Sequence, residues 1–406
     1  MPTLPPIVFP LIGNSIAVGL FSLLHIALAG LSMGFMVLTP FFEWYGRTNT
    51  AALELAHSLT RFTVIVFSAS TVLAVIMVEL LIGLFPVTTM WIWNQFRTPI
   101  AVGIAAFILQ LLALYPYYHY WDVIRKARPS FHLFLGISAA LFMLVWVVVL
   151  DGMGSYMLTP VAGRSSWSNL WNSTWLPLVL HRLIGDVMVA GYVIAAYGAW
   201  RTGRPADKPA LSYYTYLVWT GWIIGLGALL LQPFSGLLYA WSIQSSVPES
   251  YEQLVRGRYQ ILVYLQFLLI GLMFVGNHIV LRDIAAVRSK WIDGVVFVSA
   301  IALVGSVGYT GVRRSILYLL VILMLWPLTR RRMPDLTVAS SIGAGLRPAL
   351  IALGCVSLLI YLTMGTIRET ARRPDTIRNM ISLQDEARHP AAFRGGNGSA
   401  DDPARD

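Results

Sequence analysis

The chain has 406 residues, of which 57% are hydrophobic and only 12% charged, with a mean hydropathy of +0.68. A soluble domain carries about twice that charge, so the apolar runs are read as membrane spans and not as the cores of two or three soluble domains. The formal net charge of +10 comes from short Lys and Arg clusters between apolar runs, which excludes a nucleic-acid-binding face of basic residues interleaved with aromatics.

The first ten residues hold no Lys or Arg, so no ordinary signal peptide is visible and the first helix directs its own insertion. A span needs about 20 apolar residues. In chain order the pattern predicts helices over 12–42, 58–85, 99–121, 131–158, 175–200, 211–238, 260–281, 292–310, 313–329 and 347–365. The fold class is all-α, a polytopic helix bundle of about ten passes. The ninth is the weakest, because it is short and flanked by Arg313, Arg314 and Arg330 to Arg332.

Three loops are basic: Arg125, Lys126 and Arg128; Arg201, Arg204 and Lys208; Arg282, Arg288 and Lys290. They follow the third, fifth and seventh helices and fall on one side, which the positive-inside bias makes cytoplasmic. The N-terminus is then outside, and ten passes put the C-terminus outside too. The chain divides into a transmembrane bundle, 1–365, and a polar extracytoplasmic tail, 366–406. The last part of that tail, ending GGNGSADDPARD, is too polar to build a core. The multi-pass pattern implies the plasma membrane, with the lipid bilayer as solvent and no nucleic acid.

Ionisable residues within spans are costly and are functional candidates. His25 lies in the first helix and is followed by Ala27, Ala29, Gly30, Ser32 and Gly34. Such residues let a second helix, or a flat macrocycle, approach the backbone, and a neutral imidazole there suits haem iron. A hydrogen bond to a neighbouring helix is the plainer reading. His181, in the fifth helix with Gly185 and Gly191 nearby, lies at a similar depth in the outer half. Arg182 and Asp186 are four apart and able to pair. His57, His119, His132 and His278 sit near helix ends, where capping, snorkelling and interfacial belt roles are ordinary; His389 is in the tail.

Glu79, in the second helix, is a candidate proton or charge site, expected to be buried beside the cofactor or paired with an arginine such as Arg182. Asp151 reads as a helix-end residue at the outer face. Cys355, the one cysteine, supports no disulfide, metal or redox motif. The methionines read as packing, and there is no Walker loop, dinucleotide fingerprint, zinc motif or nucleophile elbow.

Several segments together resemble subunit I of cytochrome bd-type quinol oxidases. They are His25 to Gly34; Met77-Val78-Glu79; Trp121-Asp122 with the basic stretch and His132; Trp146 through Asp151-Gly152 to Pro160; His181 with Gly191-Tyr192 and Trp200; and RETARRP, from Arg368 to Pro374. The resemblance implies haem b as cofactor, with His25 and His181 as axial ligands of haem iron.

The chain also departs from that pattern. No acid stands in the third helix before Asp122; Gln110 is there instead. Gln260, Leu262 and Gln266 occupy the stretch where a methionine ligand is expected. Tyr361, Leu362 and Met364 stand where a glutamate ligand is expected, and the quinol loop is cut to roughly 239–258. An intact quinol oxidase site therefore does not carry over. Three readings stay open: a haem b electron-transfer subunit of a respiratory complex, a quinol oxidase with altered ligands, and a non-haem scaffold or transporter subunit. The first implies a second membrane subunit, a c-type cytochrome or similar extracytoplasmic redox partner bound through the tail, and possible use of quinone.

Overall fold

The structure is a computed structural model that describes residues 11–161, 165–205, 207–284, 289–330, 342–343 and 345–382. Twelve α-helices run through them: α1 Asn14–Tyr45, α2 Thr50–Leu84, α3 Pro86–His119, α4 Trp121–Ala127, α5 Pro129–Tyr156, α6 Trp175–Thr202, α7 Lys208–Ser246, α8 Pro248–Arg256, α9 Gln260–Ile284, α10 Lys290–Gly305, α11 Thr310–Arg330 and α12 Leu346–Thr370. Nine of them are long and apolar enough to cross a membrane. The polytopic all-α bundle is therefore the observed architecture.

Local chemistry sets many of the ends. The Asn49 side chain accepts from the Ala52 N–H, and Asp207 accepts from Ala210, at the starts of α2 and α7; these are N-caps. Pro86, Pro129 and Pro248 open α3, α5 and α8, where a missing N–H costs nothing. The third helix starts 13 residues earlier than its apolar run suggests, and Phe96 breaks it with φ −121°. Pro99 explains the break, since it cannot donate to the carbonyl four residues back and its ring crowds that position.

Contacts at the two ends fix the number of crossings. At one end, Tyr117 Oη of α3 donates to Glu43 of α1 (2.6 Å), and His132 of α5 bonds the same carboxylate (2.7 Å). Asp293 at the start of α10 meets His278 (2.8 Å) and Arg282 (3.1 Å) at the end of α9, and Arg347 at the start of α12 lies beside Gly203 after α6. At the other end, the Arg378 N–H donates to the Met157 carbonyl beyond α5 (3.0 Å). There too Arg378 pairs with Glu249 of α8 (3.0 Å), and Tyr251 of α8 bonds Thr310 of α11 (3.1 Å).

These contacts require α10 to cross as well, although it has only 16 residues. The result is ten passes among the described residues, with the described parts of the three basic loops at one end. The positive-inside bias makes that end cytoplasmic.

Helix α12 runs five residues past the boundary expected at 365. A turn and a two-stranded antiparallel hairpin follow, β1 Asp375–Ile377 and β2 Ile381–Ser382. The rest of the expected tail, 383–406, lies outside the described residues. The shortened loop expected at 239–258 is also folded: α7 extends to Ser246 and α8 fills the remainder. One core joins α6, α7, α9, α10, α11 and α12, a second joins α1, α2, α3, α5, α6 and α7, and a smaller one under α8 closes the outer end.

Candidate functional site: an apolar cavity at His181

A cavity of about 290 Å³ opens between α6, α7, α9, α11 and α12. From α6 it receives His181, Arg182, Gly185 and Met188, a spacing that puts all four toward one side of a helix. Gln266 of α9, Arg313 of α11, and Tyr361, Met364 and Arg368 of α12 also reach it. Most of the remaining wall is aliphatic or aromatic.

His181 is held from behind. Its Nδ1 lies 3.2 Å from the Ser235 hydroxyl of α7. That hydroxyl is also within 3.2 Å of the Gln232 carbonyl, and Gln232 Nε2 returns a bond to the His181 carbonyl (3.1 Å). A serine has one proton. With that proton on the Gln232 carbonyl, the hydroxyl accepts from His181 Nδ1–H, and Nε2 keeps its lone pair. Gly236 lets the ring lie against α7, because a Cβ there would stand 3.1 Å from Cε1.

Next to this histidine is a buried ion cluster. Arg182 Nη1 donates to Asp151 Oδ1 of α5 at 2.5 Å, while Asp186 is 3.9 Å from Nε. The i,i+4 pairing expected between Arg182 and Asp186 is therefore the longer of the two contacts. Asp151, expected at a helix end, is 1% exposed and is the closer partner. The Tyr361 hydroxyl of α12 donates to Asp186 Oδ1.

His25 is placed apart from all of this. Its Nδ1 lies 2.9 Å from the Ser70 carbonyl and 3.1 Å from the Ser70 hydroxyl, both on α2. A carbonyl only accepts, so Nδ1 carries the proton. The small residues after His25 admit protein: a Cβ on Gly30 would strike Tyr361 and Asp186, and one on Gly34 would strike the backbone of α6. Of the two approaches those residues allow, a helix or a flat ring, the helix is the one present at Gly34.

Two further expectations need correction. Glu79 is exposed on α2, not buried near a cofactor, and Arg182 takes its partners from Asp151 and Asp186. A period-3.6 pattern that is apolar all round, as α2 is, gives no direction to its one acid. His132 is fully buried and bonded to Glu43, with Nε2 donating to the Tyr117 carbonyl (3.1 Å), where a belt role was expected. His57 stacks on Trp121 with ring centroids 4.8 Å apart.

No family model matches the sequence, and no curated protein matches it either. The chain is similar to the solved bd oxidase from Geobacillus thermodenitrificans, with a TM-score of 0.56 and 16% identity over 89% of this chain and 98% of that chain. The fold is bd-oxidase-like. At that identity the likeness speaks for the arrangement of helices, which is what the order of weak motifs along the sequence implied. The chemistry rests on this chain's own residues.

Those residues fit a haem. Among the described residues no three His, Cys, Asp or Glu side chains converge to hold a metal ion. One imidazole on an apolar cavity would instead suit an iron that brings its own equatorial ligands. The hydrogen bond behind Nδ1 is the kind that orients a metal-ligating histidine.

Proposed function

We propose that this chain is a haem b-binding electron-transfer subunit of a respiratory complex in the plasma membrane, with His181 as an axial ligand. The observation that carries the reading is the His181 imidazole, tied at Nδ1 and presenting Nε2 to an apolar cavity. Haem bound there would supply one-electron chemistry. The chain's own part would be to bind and exclude water: His181 would hold the iron, Ser235 and Gln232 hold the ring's orientation, and the aliphatic wall would keep the site dry. Asp151 and Asp186 hold the Arg182 guanidinium at the edge of the site.

His25 is the second proposed ligand, through Nε2, which its bond to Ser70 leaves free. The protein packed against Gly30 and Gly34 makes His25 the less supported of the two, since it leaves less room beside α1 than the cavity gives beside His181. Proposed partners are a second membrane subunit and, at the outer face, a c-type cytochrome or similar redox subunit, with quinone as a possible electron source. Residues 371–382 fold back onto the outer ends of α5 and α8, so truncation after Ser382 tests the rest of the tail while leaving that contact in place. Loss of the extracytoplasmic subunit on co-purification supports the tail as its anchor; unchanged stoichiometry defeats it.

The deciding experiment is a reduced-minus-oxidised visible spectrum of the purified protein. A sharp b-type band that disappears in His181→Ala and persists in His57→Ala is the expected result. No band in the wild type defeats the haem reading. A His25→Ala variant with full haem content removes His25 as a ligand, and oxygen uptake with quinol would signal an oxidase.

A further inference from the structure

The outer half of the cavity carries two cations with no ion-pair partner among the described residues. Arg313 is 3% exposed, yet it lies in α11 within the bundle. Its Nη1 donates to the Val307 carbonyl (2.9 Å) and its Nη2 to the Tyr251 hydroxyl (2.5 Å). Its Cζ sits 5.2 Å from the Phe267 ring centroid. These contacts aim the guanidinium and satisfy part of its hydrogen bonding, but none brings negative charge.

Arg368 of α12 reaches the same cavity, with its guanidinium in the space a Cβ on Gly154 would need. Neither arginine has a carboxylate partner among the described residues. The acids near the cavity are already engaged. Asp151 and Asp186 share Arg182, and Glu369, which also lines the wall, pairs with Arg372. A charge held in an apolar wall is costly unless it is paired.

We infer that Arg313 and Arg368 form an anion site for two carboxylates carried on one apolar molecule. The site's chemistry follows from its parts: two guanidiniums at one end, aliphatic walls behind them, and an imidazole further along. A flat dicarboxylic macrocycle satisfies all three. The identification of that molecule with the haem rests on the function proposed above; the carboxylate specificity does not.

The test uses full-length protein produced under haem limitation and purified in detergent. It is titrated with iron-free protoporphyrin IX, which has both carboxylates and no metal, and with its dimethyl ester. The diacid binds about tenfold more tightly than the ester, the ratio expected from one or two charge-assisted hydrogen bonds. Arg313→Gln and Arg368→Gln each lower diacid affinity severalfold and leave ester affinity unchanged. Arg313→Lys, which keeps the charge if the glutamine variant does not fold, retains the preference for the diacid.

Equal binding of diacid and ester by the wild type overturns the inference, as do arginine variants that keep the full ratio. So does palmitate, with a single carboxylate, if it displaces protoporphyrin IX at similar concentrations. An arginine-dependent ratio in a protein that shows no haem spectrum defeats the haem reading alone. A haem spectrum with no arginine dependence defeats this inference alone.

Discussion

His25 and His181 sit on helices with the same vocabulary of leucine, alanine and glycine, and both use Nδ1 to bond a neighbouring helix. Their surroundings then diverge. Beside His25, Gly30 and Gly34 are covered by Tyr361, Asp186 and the backbone of α6, so the missing side chains have been spent on close helix packing. Beside His181, Gly185 and Gly236 line the cavity, and a Cβ on either would meet only the end of a side chain, Gln232 Nε2 or the imidazole. Small residues in a membrane helix say that something comes close; they do not say whether it is a helix or a ligand. The difference here is that α6 packs its backbone on Gly34 of α1, whereas α6, α7, α9 and α12 leave a cavity beside His181.

The ion cluster between these two regions should give the largest response. Arg182→Met leaves Asp151 and Asp186 buried without their cation, a change that costs about 3–5 kcal/mol when a buried pair loses one partner. Thermal unfolding in detergent should show a steep fall, with partial recovery on adding Asp151→Asn. Stability equal to wild type would mean that the cluster is wet and that the two regions are not separated by a dry wall.

Packing against α1 comes next. Gly34→Leu drives a side chain into the α6 backbone, an overpacking worth about 1–3 kcal/mol, whereas Gly236→Ala meets only the edge of an imidazole. The first should lower the melting temperature and the second should mainly alter the cofactor spectrum. If both behave alike, the contrast between packed and open sides is wrong.

A finer probe is Ser235→Ala. Removing the acceptor behind His181 Nδ1 loosens ring orientation and should weaken haem retention by about tenfold, at the low end of outer-shell effects. Unchanged retention and an unchanged band position would show that Ser235 does not orient the ring. The smallest effect is expected from Glu79→Gln, an exposed position where substitutions stay within about 0.5 kcal/mol. A loss of assembly there would instead mark the outer face of α2 as a subunit contact.

The helices were legible because hydropathy is a local property: a run of apolar residues announces its own burial in lipid. Even the doubtful ninth run is a helix, α11. His181 stood out as a candidate for a related reason, since an imidazole in such a run is costly, and the structure puts it on the cavity wall. The partners were not. Nothing local to Asp151 points to Arg182, 31 positions away, or joins Glu43 to His132 across 89. Arg313 and Arg314 look alike in sequence, two cations at the edge of a span, yet the structure buries one and exposes the other. Which of two adjacent side chains faces inward depends on the rotation of α11 against α8 and α9, and no spacing in a uniformly apolar helix encodes it. The two extra helices, α4 and α8, were not expected because seven or nine residues between two spans look like a connector.

The short crossing has a consequence for the bilayer itself. At 1.5 Å per residue, the 16 residues of α10 extend about 24 Å, against a hydrocarbon core of about 30 Å. Neither end is free to slide, because Asp293 is held to α9 and the turn after Gly305 is held to Tyr251 and Arg256 of α8. Lipid must then adjust where protein does not. Lys290 and Trp291, at the inner end of α10, are the residue types that mark a headgroup boundary. The membrane on that flank is drawn thinner by several ångströms, a deformation that costs a fraction of a kcal/mol per ångström. That flank should therefore sort toward thin or short-chain lipid, or toward a neighbour that is equally short.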